Sequence, residues 1–215
     1  MWGVPRVTFA STIGVYGGLP DMSGLREDVP LPMSAAGNLV AASKKSAELV
    51  STCVAEGAGF EIVNPRLGAI WGPLGRKQSR FFAAPALIHA AVAGTPPDSS
   101  QTHAGPYAED AIDVLYVKDC ARAIALLQTT QRLSHTTYNV GSGHATTNGE
   151  IAAVINGLIP DAKLGLQPGP NPNSPTGDAY LDTARLREDT GFEPEYDLEA
   201  AVADYVAWLR AGNDR

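Results

Sequence analysis

The stretch Arg6-Val-Thr-Phe-Ala-Ser-Thr-Ile-Gly-Val-Tyr-Gly17 decides the fold once it is read with Ala41-Ala-Ser-Lys-Lys-Ser-Ala-Glu48 further along. Arg6–Ala10 is a short β-prone run. It ends in two hydroxyl residues, Ser11 and Thr12, and a glycine-rich loop follows from Gly14 to Gly24. Residues 40–56 read as a helix, because Ala42, Leu49, Val50, Cys53 and Val54 recur at helical spacings and give one apolar face. Gly57 and Gly59 end it. Phe60–Asn64 is mostly apolar and suits a strand buried on both faces of a parallel sheet. A strand, a helix and a strand of these lengths make one βαβ unit.

Working outward, Trp71-Gly-Pro-Leu-Gly75 is a turn, and Phe81–Ala93 is a second helix that tolerates Pro85 only in its first turn. Gly94–Asp110 reads as a surface loop or hairpin. Val114–Val117 is another strand, after which Asp119 is expected to cap a helix over Cys120–Leu127. Tyr138-Asn-Val-Gly-Ser-Gly143 runs from strand into loop, and Thr147-Asn-Gly-Glu150 fits a capping box opening a helix to Leu158. Pro160–Gly177 is irregular. Asp182 and Asp197 are expected to cap the last two helices, the first stopping at Gly191.

The 215 residues carry a formal net charge of −7, a balance that argues against a nucleic-acid partner or an anionic membrane surface. Cys53 and Cys120, the two cysteines, both read as small core residues. No run reaches the length of a membrane span and the first residues lack a signal-peptide pattern, so the chain reads as cytoplasmic. His89, His103, His135 and His144 have no metal-ligand spacing, and no metal site is expected.

The order of these motifs resembles the catalytic half of the extended short-chain dehydrogenase/reductases, the NAD-dependent epimerase/dehydratase family. Further landmarks agree: Asn64-Pro-Arg-Leu-Gly-Ala-Ile-Trp-Gly-Pro73, Asp113-Val-Leu-Tyr-Val-Lys-Asp119 and Tyr180-Leu-Asp-Thr-Ala-Arg-Leu186. The resemblance implies an α/β fold, a partial Rossmann-like doubly wound parallel sheet without the family's first three strands. A smaller α+β C-terminal substrate-binding portion completes it. On this reading residues 1–75 are the C-terminal half of a Rossmann-like nucleotide-binding domain and 76–215 are mainly substrate-binding, with elements near 112–142 returning to the sheet.

The resemblance also implies site residues. Thr12 falls on the family's hydroxyl position, which hydrogen-bonds the substrate oxygen, with Ser11 beside it at the cofactor. Lys44 falls on the lysine that contacts the nicotinamide ribose, while Leu67 and Gly68 lie against the nicotinamide of NAD or NADP. The family's tyrosine, four residues before the lysine, is Val40 here. Valine takes no proton, so a contribution of about 10²–10⁴-fold is absent from its usual place. Tyr16 and Tyr107 are the substitutes to consider. Where relatives acting on nucleotide sugars carry a diphosphate-binding Arg, this chain has Ile112, and Arg76, Lys77 and Arg80 could supply substrate-binding charge instead.

The implied activity is NAD(P)-linked oxidation, epimerisation or dehydration at a hydroxyl-bearing carbon of a sugar-like or other small substrate. The alternative is a catalytically impaired binding or regulatory relative, or a fragment of such an enzyme. No glycine-rich dinucleotide motif lies between a strand and a helix. The resemblance makes Arg6–Ala10 an interior strand in the family, so with the first three strands missing the chain is expected to be less stable than a complete member, to associate through that unblunted edge, as a homo-oligomer or otherwise, or to be incomplete as a gene product.

Overall fold

A strand, a helix and a second strand organise the amino-terminal third, as the hydrophobic pattern requires. The structure is a computed structural model and describes residues 3–34, 38–97, 107–172 and 178–213. The first strand comes in two pieces, β1 (Arg6–Thr8) and β2 (Ser11–Thr12), and a 3-10 turn over Ile13–Tyr16 follows. Helix α1 spans Leu39–Ala58; Asn38 Oδ1 accepts from the Val40 and Ala41 amides at its start, and Gly59 ends it with a φ of 72°. After it come β3 (Glu61–Leu67), β4 (Ala69–Trp71) and α2 (Ala84–Ala93), with Pro85 in the first turn of α2. The remaining elements are β5 (Ala111–Ile112), β6 (Val114–Tyr116), α3 (Val117–Thr129), β7 (Thr137–Val140), β8 (Thr146–Thr147), α4 (Asn148–Leu158), α5 (Ala184–Thr190) and α6 (Leu198–Arg210). The Thr147/Glu150 capping box forms at the start of α4.

Central to the sheet is β3, buried along most of its length. It pairs in parallel with β1 and β2 on one side and with β7 on the other. Beyond Gly68 the chain continues as β4, which pairs in parallel with β6. The short β5 and β8 pair antiparallel. One apolar core fills the space between β4, β6 and helices α2, α4 and α6, around Trp71, Leu87, Ile155 and Tyr205. A second joins β3, β7, α3 and α5 through Val63, Leu127, Tyr138 and Leu186. A small third cluster, Val15, Tyr16, Leu25 and Leu181, ties the loop after β2 to the segment before α5. Among the described residues, no helix is long and apolar enough to cross a membrane.

Three expectations are corrected here. The apolar face of α1 looks outward: Leu49 and Val50 are 69% and 60% exposed, and Val54 and Cys53 are exposed as well. The sheet-facing side holds Ala41, Glu48 and Ala55, small residues around one ion-paired carboxylate. Cys53 is thus not a core residue, whereas Cys120 is, and burial pushes its thiol up to about 11. Asp119 does not cap α3, which begins two residues earlier. Its buried carboxylate accepts from the backbone amides of Glu195 and Tyr196 and fixes the approach to α6. The third correction concerns the outer edge of β1. No strand pairs with it among the described residues, yet side chains cover part of it. Gln128 Nε2 donates to the Arg6 carbonyl at 3.2 Å and Lys44 Nζ to the Ala10 carbonyl at 2.7 Å. The expected loops lie partly at 98–106 and 173–177, outside the described residues, as does His103.

Candidate active site at the carboxyl ends of the parallel strands

Parallel strands pointing the same way bring their last residues to one end of the sheet, and a ligand crevice forms there in open α/β folds. At that end Thr12 is the register partner of Leu67, and Leu67 that of Val140. The Gly68 amide donates to the Val140 carbonyl, so Thr12, Leu67 and Gly68 sit on adjacent strand ends. Thr12 caps the short turn, its Oγ1 accepting from the Gly14 amide at 3.1 Å. Lys44 reaches down from α1 to the Ala10 carbonyl, with Nζ 4.7 Å from the centroid of the Phe9 ring. Its neighbour Lys45 is occupied elsewhere, donating to the carbonyls of Pro32 and Ser34.

Beneath these strand ends lies a buried polar network. Arg66 forks onto Glu48, with Nη2 at 2.8 Å from Oε2 and Nε at 3.1 Å from Oε1. Ser11 Oγ donates to the same carboxylate. Arg66 Nη1 donates to the Tyr16 hydroxyl at 2.9 Å, which in turn donates to Asn139 Oδ1 at 2.7 Å. Asn139 Nδ2 continues to the carbonyls of Leu25 and Asp182. Ser11 is therefore buried with its hydroxyl given to Glu48, while Thr12 is half-buried at the start of the turn.

Val40 stands one helical turn before Lys44, half-exposed, and offers no proton acceptor. The nearest hydroxyl on its helix is Ser43, whose Oγ donates to the Val40 carbonyl at 2.9 Å. Tyr16 does not stand in for the absent tyrosine. It is fully buried, burial raises its pKa, and both roles of its hydroxyl are taken by Arg66 and Asn139. Tyr107 bridges to Gln167 in the loop region.

Gly68 answers to a second network. A Cβ there would meet the Asp113 carbonyl at 3.2 Å, so glycine lets the two backbones close up. The Asp113 carboxylate is fully buried and accepts from the Ser142 amide at 2.6 Å, the Ser142 hydroxyl at 2.8 Å and the Leu181 amide at 3.1 Å. Burial raises its pKa, and the donors hold it down in part. A Cβ at Gly141 would fall 2.2 Å from Asp113 Oδ2. The inward position of Glu48 has one mark in the sequence, the Lys44-x-x-x-Glu48 spacing, since residues four apart share a helix face.

Downstream of β4 a cleft of about 780 Å³ is lined by Trp71, Arg76, Lys77, Arg80, Phe81 and Phe82, among others. It gathers Arg76, Lys77 and Arg80 beside the exposed Phe81. The histidines stay apart: His89 contacts the Tyr205 hydroxyl at 2.8 Å and His135 packs on the Tyr138 ring. Among the described residues no group of His, Cys, Asp and Glu could hold a metal ion.

A parallel sheet with helices against it, and polar side chains collected at its strand ends, defines a Rossmann-like α/β protein. The model of the NAD dependent epimerase/dehydratase family matches residues 1–141, and the chain belongs to that family. Its fold is similar to that of the UDP-glucose 4-epimerase of Thermotoga maritima, solved with UDP-glucose, at a TM-score of 0.78 and 21% identity. That match covers 98% of this chain and 65% of the epimerase. The dTDP-glucose 4,6-dehydratase of Bacillus anthracis, in complex with NAD, matches with a TM-score of 0.76 and 20% identity, over 97% of this chain and 62% of that one. A UDP-N-acetylglucosamine 4-epimerase from Methanobrevibacter ruminantium, in complex with UDP-N-acetylmuramic acid, matches at 0.77 and 24% identity, over 97% and 64%. The chain thus spans less than two-thirds of the length of each of these three. A search of curated protein sequences finds no match.

Proposed function

We propose that this chain carries the catalytic-strand and substrate-binding parts of an NAD(P)-linked oxidoreductase of the epimerase/dehydratase type. It would act at a hydroxyl-bearing carbon of a sugar-like or other small substrate. The observation that carries this reading is the adjacency of Thr12 and Leu67 across the ladder, with the Lys44 ammonium at the neighbouring Ala10 carbonyl. One cation and one hydroxyl at parallel strand ends suit a ribose and a substrate oxygen. The residues present therefore fit the nicotinamide end of the cofactor, NAD or NADP, which supplies hydride acceptance and donation when bound. Lys44 would hold the ribose, Leu67 and Gly68 would form the wall beside the ring, and Thr12 would orient the substrate oxygen. Ser11 supports the cofactor wall through Glu48. Arg76 and Arg80, on the rim of the basic cleft, would take an anionic part of the substrate. Complexes of the similar epimerases and dehydratases with UDP-sugars and NAD support this assignment. A cytoplasmic setting belongs to the same reading and rests on two cysteines that are both free.

Val40 favours a second reading, a relative that binds but transfers protons poorly. The melting temperature of the purified chain with and without NAD⁺ or NADP⁺ tests cofactor binding; at a hundred times Kd a ligand adds ~2.7 kcal/mol of stability. A shift with one dinucleotide would support a retained nucleotide site, and no shift on a cooperatively melting chain would favour the impaired relative or the fragment instead. In a chain that binds, Val40→Tyr should raise redox turnover by about 10²-fold or more. Unchanged turnover would mean that another group already moves the proton.

A further inference from the structure

Lys44 and Glu48 lie four apart on α1 and share one face, a helical turn from each other. From that face the helix reaches two consecutive residues. Lys44 Nζ donates to the Ala10 carbonyl, and the Glu48 carboxylate accepts from the Ser11 hydroxyl. Ser11 is the register partner of Arg66, whose guanidinium takes both oxygens of the same carboxylate. One buried side chain of α1 thus bridges the strand pair next to Thr12 and Leu67. The bridge needs a carboxylate. Its two oxygens accept from Ser11 and from Arg66 Nε and Nη2, whereas a glutamine amide offers one acceptor and turns its own N–H groups toward one of these donors. Arg66 is itself held by Tyr16 and the Glu27 carbonyl, so the anchor under Glu48 does not follow the helix. Lysine is a point charge on a flexible stem. Where its ammonium rests therefore depends on how the helix beneath it is turned and seated.

We propose that Glu48 is a positioning residue for Lys44. Its bonds to Ser11 and Arg66 fix the rotation and height of α1 over the strand ends, and the lysine one turn earlier is thereby held at Ala10, where it would meet the nicotinamide ribose. This role rests on the assignment of Lys44 to the cofactor, and it belongs to a side chain that touches neither cofactor nor substrate.

Two measurements on the purified chain test it, one without cofactor. Acetic anhydride labelling, read by fragment mass spectrometry, gives the ratio of Lys44 to Lys45 modification; Lys45, bonded to the Pro32 and Ser34 carbonyls, is the internal reference. Glu48→Gln should raise that ratio severalfold. Ser11→Ala removes a donor and no charge; it should act in the same direction, and it carries the test if Glu48→Gln lacks a cooperative melt. Ala55→Leu, a disturbance of the inward face of the same helix, should leave the ratio at the parent's value. An unchanged ratio in the folded Glu48 or Ser11 variant overturns the proposal, and so does an equal rise in Ala55→Leu. The second measurement is calorimetric titration with NAD⁺ and with NADP⁺. Glu48→Gln should weaken binding by about tenfold, a usual size for residues coupled through a backbone shift. In a Lys44→Met background the same substitution should change Kd by no more than about twofold, because a residue that acts through Lys44 has nothing left to position. A parent that binds and a Glu48→Gln variant that binds equally well overturn this role alone, as does an undiminished effect in the Lys44→Met background. A parent that binds neither dinucleotide removes the cofactor from the site, and this role with it.

Discussion

At Glu48 a carboxylate with only 8% of its residue surface exposed accepts from Ser11 on one strand and forks with Arg66 on the next. Removing one partner of such a pair strands a charge where water cannot reach it, which costs about 3–5 kcal/mol. Glu48→Ala should lose stability on that scale in urea unfolding, whereas Glu48→Gln keeps an acceptor for Ser11 and should lose less. A loss below about 1 kcal/mol in the alanine variant would mean that the bonds Arg66 already makes to Tyr16 and the Glu27 carbonyl suffice to hold it. The residue scale also limits what a sequence can say of this site. Thr12 and Lys44 are legible because a local pattern surrounds each. The Arg66–Tyr16–Asn139 chain is not, since its members are separated by 50 and 123 positions and meet only through the fold.

Helix α1 shows the same limit at the scale of an element. The period of its apolar residues was readable and the helix is there, but periodicity carries no information about which way a face points. Packing decides that. Ala41 and Ala55 let the helix approach the sheet closely, and Glu48 must face inward to meet Arg66, so Leu49, Val50 and Val54 turn outward. The consequence is testable by a pair of substitutions. Val50→Gln should change stability by no more than about 0.5 kcal/mol, as surface substitutions do. Ala55→Leu, which a core-stripe reading of residues 49, 50 and 54 would regard as harmless, should cost about 1–3 kcal/mol through overpacking. Thermal or denaturant melts of the two variants decide it, and the opposite ranking would restore the inward-facing stripe. Asp119 makes the parallel point: an acidic residue before an apolar run looks like a cap, yet its partners are amides 76 and 77 residues away.

Across the whole molecule, segments distant in sequence are fastened by carboxylates buried at their junctions. Glu27, in the loop after β2, accepts from the Asn139 amide on the outer side of β7 at 2.7 Å and lies 3.5 Å from Arg185 in α5. Leu25, two residues before it, bridges to Leu181, and Leu181 donates to Asp113 beside β6. The ladder of βαβ motifs could be anticipated from the sequence; these ties could not, because a glutamate in a polar loop has no local mark of burial. Burial raises the pKa of Glu27, with the Asn139 amide and Arg185 opposing it. A carboxyl whose folded pKa lies above its unfolded value of about 4.3 contributes stability that is whole below that value. The contribution is lost as pH rises through the folded pKa, because the folded state then holds more protons than the unfolded one. Glu27→Gln has no such group to ionise. Its melting temperature relative to the parent should therefore rise as the buffer goes from pH 4 to pH 7, both proteins being measured at each pH. A difference that stays constant or falls over this range would mean that Glu27 is held ionised in the fold, with Arg185 and the β7 amide outweighing its burial.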